Sequence, residues 1–363
     1  MASRTSQSRT ARQAQTAAKV SEAQRTLAAE VAKLTTGEDW QRFLDFQAKL
    51  HAYSPNNVML VVAQHAQAFA NGLVPVEHPT HLAGYNTWRA LGRTVDKGQH
   101  GYAILAPCRY DRRVALNPTG QARPLAHGEA PGADERLESR RVLAGFRIEH
   151  VFDVSQTSGA PLPEPPSPAL LLGEAPVGLG AAVLEMIEER GFRVDTVADA
   201  STLQGANGQT NWGSRTVLIR ADMDDASMVK TLIHEAAHCV LHEGPPGRYL
   251  PRNVKEVEAE SVAYSVASVH GMSTDGYSFP YVAGWAGEDA AKAVTATQAR
   301  VATAARQIID ASPATHVGGG RPPGVEAAVA AAQARRDGLG ARPGASTEGS
   351  VTSEPVAQAG VGL

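Results

Sequence analysis

The N-terminal half alternates between stretches with helical and with strand-like spacing of apolar residues. Thr36, followed three residues later by Asp39, is predicted to cap one helix, and the sequence SPNN at 54–57 a second one that ends at Asn71-Gly72. The inward-facing residues of these two helices recur every three or four positions: Trp40, Phe43, Leu44 and Leu50, then Val58, Val61, Val62, His65 and Phe69. A short helix over 86–91 and strands over 102–106 and 141–157 are predicted to follow.

A proline-rich segment separates the C-terminal half of the sequence from the N-terminal half. After a polar insertion over 114–137, five prolines in the eight residues 161–168 predict a stiff, extended linker. Beyond the linker, the periodicity predicts mostly helices with a few strands. These elements are an amphipathic helix that ends at Gly191, strands over 192–197 and 215–220, a helix from Asp224 or Asp225 to Gly244, and helices over 254–269 and 288–309.

Together these elements predict an α+β protein with two domains. A mixed α/β domain is expected over 21–160 and a mainly helical domain with a small sheet over 175–312, with the Pro-rich linker at 161–174. Residues 1–20 are polar and basic, and residues 313–363 contain no aromatic side chain and are dominated by Gly, Pro and Ala. We therefore expect both termini to be disordered.

Composition and charge exclude several classes of protein. The net charge of −3 excludes a histone-like or ribosomal-type basic protein, although a local basic face stays compatible with it. Only two cysteines occur, Cys108 and Cys239, which excludes a disulfide scaffold and favours a reducing compartment. The N-terminus lacks the apolar core of a secretory signal, and no apolar run approaches the length of a membrane span. We expect a soluble, cytoplasmic protein without a membrane partner.

The sharpest chemical signal is the sequence HEAAH at 234–238. Two residues at positions i and i+4 of a helix project from one face, so His234 and His238 can bind a single Zn²⁺ ion. Glu235 can then act as a general base on water without ligating the metal. The alternative is an amphipathic helix with two surface histidines, but the apolar residues on both sides of the motif favour a buried or cleft-facing position. We expect one Zn²⁺ per chain.

A third protein ligand is expected on the next helix, within KEVEAESVAY at 255–264. Glu256 and Glu260 share one face of that helix, whereas Glu258 points elsewhere. We assign Glu256 as the metal ligand and Glu260 as the carboxylate that accepts the ring N–H of a ligating histidine, and the reverse assignment stays open. A solvated acidic helix face is the alternative for these glutamates. His242, one turn beyond His238, is either a spare ligand or a helix-end residue.

HEAAHCVLH followed by KEVEAESVAY resembles the zinc metallopeptidase domain of the ImmA/IrrE type. In that family a strand precedes the H-E-x-x-H helix, and a Glu in an E-x-x-A-[D/N/E] helix completes the metal site. RTVLIR at 215–220 fits the strand, and Glu256, Ala259 and Glu260 fit the third-ligand helix. The resemblance covers about 175–275 and implies a gluzincin-like zinc metallopeptidase.

A local basic surplus over 81–113 is interleaved with aromatic residues, a composition typical of binding to single-stranded nucleic acid. The sequences SPNNVMLVVAQ, HLAGYNTWRALGRTVDKGQHGYAILAPC and VFDVSQTSGAPLP resemble the N-terminal domain of ArdC-type antirestriction proteins, which is associated with single-stranded DNA binding. The candidate DNA-binding residues are Tyr85, Trp88, Arg89, Arg93 and Lys97. The alternative is that Trp88 and Tyr102 belong to a core and that the charges form an ordinary solvated face.

The two resemblances together predict a single-stranded-DNA-binding module fused to a zinc-dependent metallopeptidase. Its expected partners are single-stranded DNA and a protein or peptide substrate, and its expected role is to protect mobile-element or phage DNA against restriction. Two alternatives stay open. One is a non-enzymatic protein that coats DNA and holds structural zinc, and the other is a regulatory peptidase that cleaves a repressor.

Overall fold

The computed structural model describes residues 2–126, 128–163, 173–275, 277, 279 and 290–340, and it shows an α+β architecture. Three helices open the chain: α1 (Ala2–Val31), α2 (Gly37–Lys49) and α3 (Pro55–Ala70). The predicted caps are present. Thr36 and Asp39 form a reciprocal capping box at the start of α2, and Ser54 caps α3 with Pro55 at the first helical position.

The middle of the N-terminal half is built around a long antiparallel ribbon. Its elements are β1 (Leu82–Ala83), α4 (Tyr85–Ala90), β2 (Arg93–Val95), β3 (Tyr102–Leu116), β4 (Ala122–Pro124), β5 (Arg136–Asp153) and β6 (Thr157–Gly159). The strands form a sheet of order β1-β5-β3-β4 and a separate β2-β6 pair. Strands β3 and β5 pair from Tyr102↔Val151 to Leu116↔Arg136, with an irregularity between Cys108 and Arg109. Both ends of the predicted polar insertion, and the short strand β4 within it, therefore belong to this sheet.

The C-terminal half combines a small sheet with helices. Its elements are α5 (Leu179–Glu189), β7 (Arg193–Val197), β8 (Gly208–Asn211), β9 (Thr216–Arg220), α6 (Asp225–His242), α7 (Arg252–Val269), α8 (Ala290–Ala311) and α9 (Val325–Gly340). The sheet order is β7-β9-β8, with β9 parallel to β7 and antiparallel to the edge strand β8. None of the helices in the described part of the chain is long and apolar enough to span a membrane.

The largest apolar core of the described residues contains side chains from both sides of the Pro-rich segment. Trp40, Phe43 and Leu44 of α2 are buried in the same apolar cluster as α5, α6, α7 and α8. The Trp40 indole N–H donates a hydrogen bond of 2.8 Å to the hydroxyl of Ser261 on α7, and both residues are fully buried. Helix α2 therefore packs on the C-terminal half although it precedes the linker. Residues 164–172 of the predicted linker lie outside the described residues.

The structure describes part of each terminal region. Residues 2–20, predicted as a disordered arm, belong to α1, because Ala, Gln and Arg favour a helix and its Ala23 packs against Leu60 and Leu105. Residues 312–324, which we call the return segment, run from α8 back to the N-terminal half. There the carbonyls of Gly319 and Gly320 accept hydrogen bonds from the backbone N–H groups of Ala52 and Leu82. Residues 341–363 of the predicted tail lie outside the described residues.

Candidate metal centre and nucleic-acid surface

Helix α6 carries His234, Glu235 and His238 along one side of the C-terminal half. The Asp224 carboxylate caps this helix by accepting a hydrogen bond from the Ser227 backbone N–H at 2.8 Å. The residues that anchor the helix in the core alternate with the polar motif: Ile233, Ala236 and Ala237. Because the apolar face is buried, the two histidines are left side by side at a cleft, with ring centroids 4.9 Å apart.

Helix α7 lies against α6 and brings Glu256 opposite both histidines. Its Oε2 atom lies 3.6 Å from Nε2 of His234 and 3.6 Å from Nε2 of His238, and the two Nε2 atoms are 3.2 Å apart. A point equidistant from these three atoms lies about 2.0 Å from each, close to the Zn–N and Zn–O bond lengths of about 2.0–2.1 Å. The two imidazole nitrogens and one carboxylate oxygen therefore fit a single small divalent cation.

Glu260 has a different position from Glu256. Its Oε2 atom lies 3.1 Å from Nδ1 of His234, on the side of the ring away from Glu256. Burial lowers the pKa of His234, but the hydrogen bonds and charges of Glu256 and Glu260 outweigh burial and raise that pKa to about 9. Contact with His234 and His238 holds the pKa of Glu256 well below its usual range.

The carboxylate of Glu235 is buried between α6 and the edge strand β8. Its Oε2 atom accepts a hydrogen bond of 2.6 Å from the Thr210 hydroxyl. Gly208 allows the strand to approach, since a Cβ atom there would lie 2.8 Å from Oε1 of Glu235 and 2.8 Å from Cγ2 of Thr231. The sequence analysis did not identify Thr210 or Gly208, because β8 is too short and polar to show a strand pattern.

These groups line a cleft of about 990 Å³ between β8, α6 and α7. Trp212, half-exposed just after β8, meets the His238 ring edge-on with ring centroids 6.2 Å apart. The Lys255 ammonium lies 5.6 Å from the centre of the Trp212 ring. The cleft therefore places the aromatic ring of Trp212 beside the candidate metal ligands, so its lining offers both polar and apolar contacts.

A second polar cluster lies behind His238, away from the cleft. Nδ1 of His238 is 2.9 Å from Nδ1 of His242, and Nε2 of His242 is 3.1 Å from Oε2 of Glu258. Burial lowers the pKa of His242. Burial alone would raise the pKa of Glu258, but hydrogen bonds from His242, Arg300 and Thr297 lower it. The sequence predicts that Glu258 does not face the metal, but it does not reveal this cluster, because its members lie on three separate helices.

Two of the residues predicted to bind DNA have structural roles instead. Trp88 is 0 % exposed, and its indole N–H donates a hydrogen bond of 3.0 Å to the carbonyl of Phe152, so its ring is not available to stack on a base. The Arg93 guanidinium donates hydrogen bonds to the Thr157 hydroxyl and to the carbonyls of Thr157 and Ala160, which joins β2 to β6. Neither side chain is free for nucleic acid in this fold.

The other three predicted residues are exposed. Tyr85 is 47 % exposed. Arg89, near the end of α4, and Lys97, just after β2, are exposed as well. The outer part of the ribbon adds an aromatic side chain, Tyr110, and three arginines: Arg109, Arg112 and Arg113. Within the described part of the chain, the ion pairs on the ribbon leave these three arginines without an acidic partner.

Comparisons with known proteins find a relative, two solved structures and a family model that are similar to this chain. The chain is 25% identical to an uncharacterized protein of Bacillus anthracis over 279 residues, which are 68% of this chain and 43% of that relative. This chain thus spans less than half the length of that relative. Solved structures of the antirestriction protein ArdC from plasmid R388 are 17% identical. The match to the Mn(II)-bound structure has a TM-score of 0.41 and covers 72% of this chain and 89% of that chain. The match to the metal-free structure has a TM-score of 0.40 and covers 71% of this chain and 85% of that chain. Residues 14–152 match the family model of the N-terminal domain of anti-restriction factor ArdC.

Proposed function

We propose that this chain is a single-stranded-DNA-binding antirestriction protein that also carries a zinc-dependent metallopeptidase site. The match of residues 14–152 to the ArdC N-terminal domain supports the antirestriction role. The observation that carries the peptidase is the placement of Glu256 Oε2 3.6 Å from the Nε2 atoms of both His234 and His238, beside the buried carboxylate of Glu235. A protein or peptide is the expected substrate of that site.

The metal ligands in this proposal are His234 and His238 through Nε2, and Glu256 through Oε2. Two imidazole nitrogens favour Zn²⁺ over Mg²⁺, Ca²⁺ and Mn²⁺, which prefer oxygen ligands. When bound, zinc supplies a Lewis acid that polarises a substrate carbonyl and lowers the pKa of water. Three protein ligands leave a fourth position open, as catalytic zinc sites require. Glu260 orients His234 by accepting a hydrogen bond from its Nδ1–H group.

Glu235 is the general base in this proposal. Its carboxylate is adjacent to His234 in the chain and lines the same cleft, and the Thr210 hydroxyl fixes one of its oxygens at 2.6 Å. A carboxylate held in this way is positioned to take a proton from an attacking water at Oε1 or Oε2. The partial burial of the cleft strengthens these electrostatic interactions because it limits screening by solvent.

Metal analysis tests the site. The purified protein should hold about one zinc per chain, and His234→Ala/His238→Ala should hold none. Glu256→Gln should weaken zinc binding more than Glu260→Gln, because the loss of an orienting partner costs about 10–100-fold in affinity. The opposite ranking would exchange the roles of the two glutamates, and stoichiometric zinc in the double histidine variant would overturn the site.

Glu235→Gln separates chemistry from metal binding. This variant keeps the size of the side chain and its contact with Thr210 but removes the base, so it should retain zinc and lose peptide hydrolysis. Zinc retained without hydrolysis in the wild type, across a panel of folded and unfolded protein substrates, would favour the non-enzymatic DNA-coating protein. Cleavage confined to one repressor would favour the regulatory peptidase.

Salt-dependent binding to a single-stranded 30-mer tests the DNA-binding part, with the full chain and a chelator present. Lys97→Ala should lower affinity and reduce the salt dependence, because each phosphate contact contributes a log–log slope of about −0.7. Tyr85→Ala should lower affinity with little change of slope if its ring stacks on bases. Arg193→Ala, on the C-terminal sheet and paired with Asp195, is the matched control. Binding that is insensitive to salt would contradict the proposal.

A further inference from the structure

The polar cluster behind His238 is a continuous chain of hydrogen bonds through the interior. It runs from His238 to His242 on α6, then to Glu258 on α7, and ends at Arg300 and Thr297 on α8. His242 and Glu258 are about as buried as the centre of the apolar core, with relative exposures of 1% and 0%. The Arg300 Nε atom lies 2.8 Å from Oε1 of Glu258, and the Thr297 hydroxyl lies 3.0 Å from the same atom.

The direction of each hydrogen bond follows from the partners. An ionised carboxylate only accepts, so Nε2 of His242 donates to Glu258, which Arg300 keeps in the charged form. A neutral imidazole that carries its proton on Nε2 presents a lone pair on Nδ1. Nδ1 of His242 therefore accepts from Nδ1 of His238. His238 in turn has its proton on Nδ1 and a free lone pair on Nε2, the atom that faces Glu256.

We propose that His242, Glu258 and Arg300 are positioning residues for the metal centre, which hold His238 in the tautomer and ring orientation that direct its Nε2 lone pair at the metal. This inference rests on the proposed zinc site. Metal-ligating histidines generally donate their second ring N–H to such an acceptor, and the loss of that acceptor weakens metal binding. Here the acceptor is a second histidine, whose own orientation depends on the ion pair between the buried carboxylate of Glu258 and the partly exposed Arg300.

The two candidate histidine ligands are therefore oriented differently. The partner of His234 is Glu260, whose side chain is 34% exposed at the cleft. The partner of His238 is a chain of hydrogen bonds that spans α6, α7 and α8, and the glutamate in this chain has no exposed surface. A buried ion pair contributes little net stability when compared with apolar residues of the same size. Its position directly behind a candidate ligand is better explained by orientation of that ligand than by stabilisation of the fold.

The test compares zinc affinity, measured by competition with a chelator, and the visible spectrum of the Co²⁺-loaded protein. His242→Leu leaves Nδ1 of His238 without an acceptor, so zinc affinity should fall about 10–100-fold and the Co²⁺ bands should shift. His242→Gln can accept from His238 and donate to Glu258 through one amide, so it should recover most of the loss. Ser265→Ala is the control, because Ser265 is buried on α7 and its hydroxyl donates to the Ser261 carbonyl of the same helix.

The outcomes separate this inference from the proposed function. A wild type that binds neither metal overturns the zinc site itself. A wild type with zinc and a His242→Leu variant with unchanged zinc affinity and Co²⁺ spectrum overturns only the positioning role, whatever the variant does to the melting temperature. If His242→Leu does not fold, Glu258→Gln replaces it. That variant keeps the size of the side chain and removes its charge, and wild-type affinity in the folded variant would equally overturn the role.

Discussion

Replacing Trp40 with phenylalanine tests whether the N-terminal half is anchored on the helix that carries the candidate glutamate ligand. The Trp40 indole N–H donates to the Ser261 hydroxyl at 2.8 Å, and neither side chain is exposed. Phenylalanine keeps most of the apolar ring but removes the donor. The variant therefore loses one buried hydrogen bond and leaves the Ser261 oxygen without this partner.

The expected loss of unfolding free energy is about 2–4 kcal/mol. The missing hydrogen bond and the unpaired Ser261 hydroxyl account for about 1–3 kcal/mol, and the smaller apolar surface of the ring adds about 1 kcal/mol. Ser261→Ala should cost about 1–3 kcal/mol, since it leaves the Trp40 indole N–H unpaired instead. The double variant should be more stable than the sum of the two losses predicts, by about 1–2 kcal/mol.

Urea unfolding followed by far-ultraviolet circular dichroism measures these losses, with a chelator present so that metal binding does not contribute. Trp88→Phe is the matched control, since the Trp88 indole N–H also donates a hydrogen bond from a buried ring, but to the Phe152 carbonyl within the N-terminal half. Trp88→Phe should lower the free energy of unfolding, and this loss should simply add to the loss caused by Ser261→Ala. Additive losses for Trp40→Phe and Ser261→Ala, within about 0.5 kcal/mol, would refute the contact between α2 and α7.

Three further predictions concern the cleft, the ribbon and alkaline pH. Gly208→Ala should displace the Glu235 carboxylate and lower hydrolysis about 10–100-fold with zinc content unchanged; equal activity would contradict the close approach of β8. Arg112→Ala/Arg113→Ala should reduce the salt dependence of single-stranded DNA binding by about 1.4 log–log units if both contact phosphates, and an unchanged slope would exclude this part of the ribbon. Burial raises the pKa of Tyr53 to about 12, so the stability that its protonated hydroxyl contributes is complete below about pH 10 and is lost as the pH rises toward 12. The fall in the urea midpoint between about pH 9 and pH 11.5 should be smaller in Tyr53→Phe, and an equal fall would contradict this assignment.

The features that sequence predicts well here are those set by local chemistry. The Thr36–Asp39 capping box, the Ser54 cap and the end of α3 at Asn71 all depend on hydrogen bonds within a few residues. The spacing of His234 and His238 likewise places both rings on one face of α6 wherever that helix lies in the fold. Such features are readable from the sequence because they do not depend on the tertiary structure.

The features that the sequence does not predict depend on distant contacts. Trp88 is an aromatic residue of the type that stacks on bases, but it is buried, and its indole N–H bonds to the carbonyl of Phe152, 64 residues further along the chain. The role of Glu258 depends on Arg300, on a helix whose position relative to α7 no local pattern specifies. Outside the predicted strands over 102–106 and 141–157, the ribbon is largely exposed on both faces, so the alternation of apolar and polar residues that marks a half-buried strand is weak there.

The return segment has a consequence for the order in which the protein is completed during synthesis. The backbone N–H groups of Ala52 and Leu82 leave the ribosome long before their partners, the carbonyls of Gly319 and Gly320. Domains generally fold from the N-terminus as they are synthesised. Here two backbone hydrogen bonds of the N-terminal half form only after the C-terminal half has been made, so the part that matches the ArdC domain is synthesised before that half and completed after it.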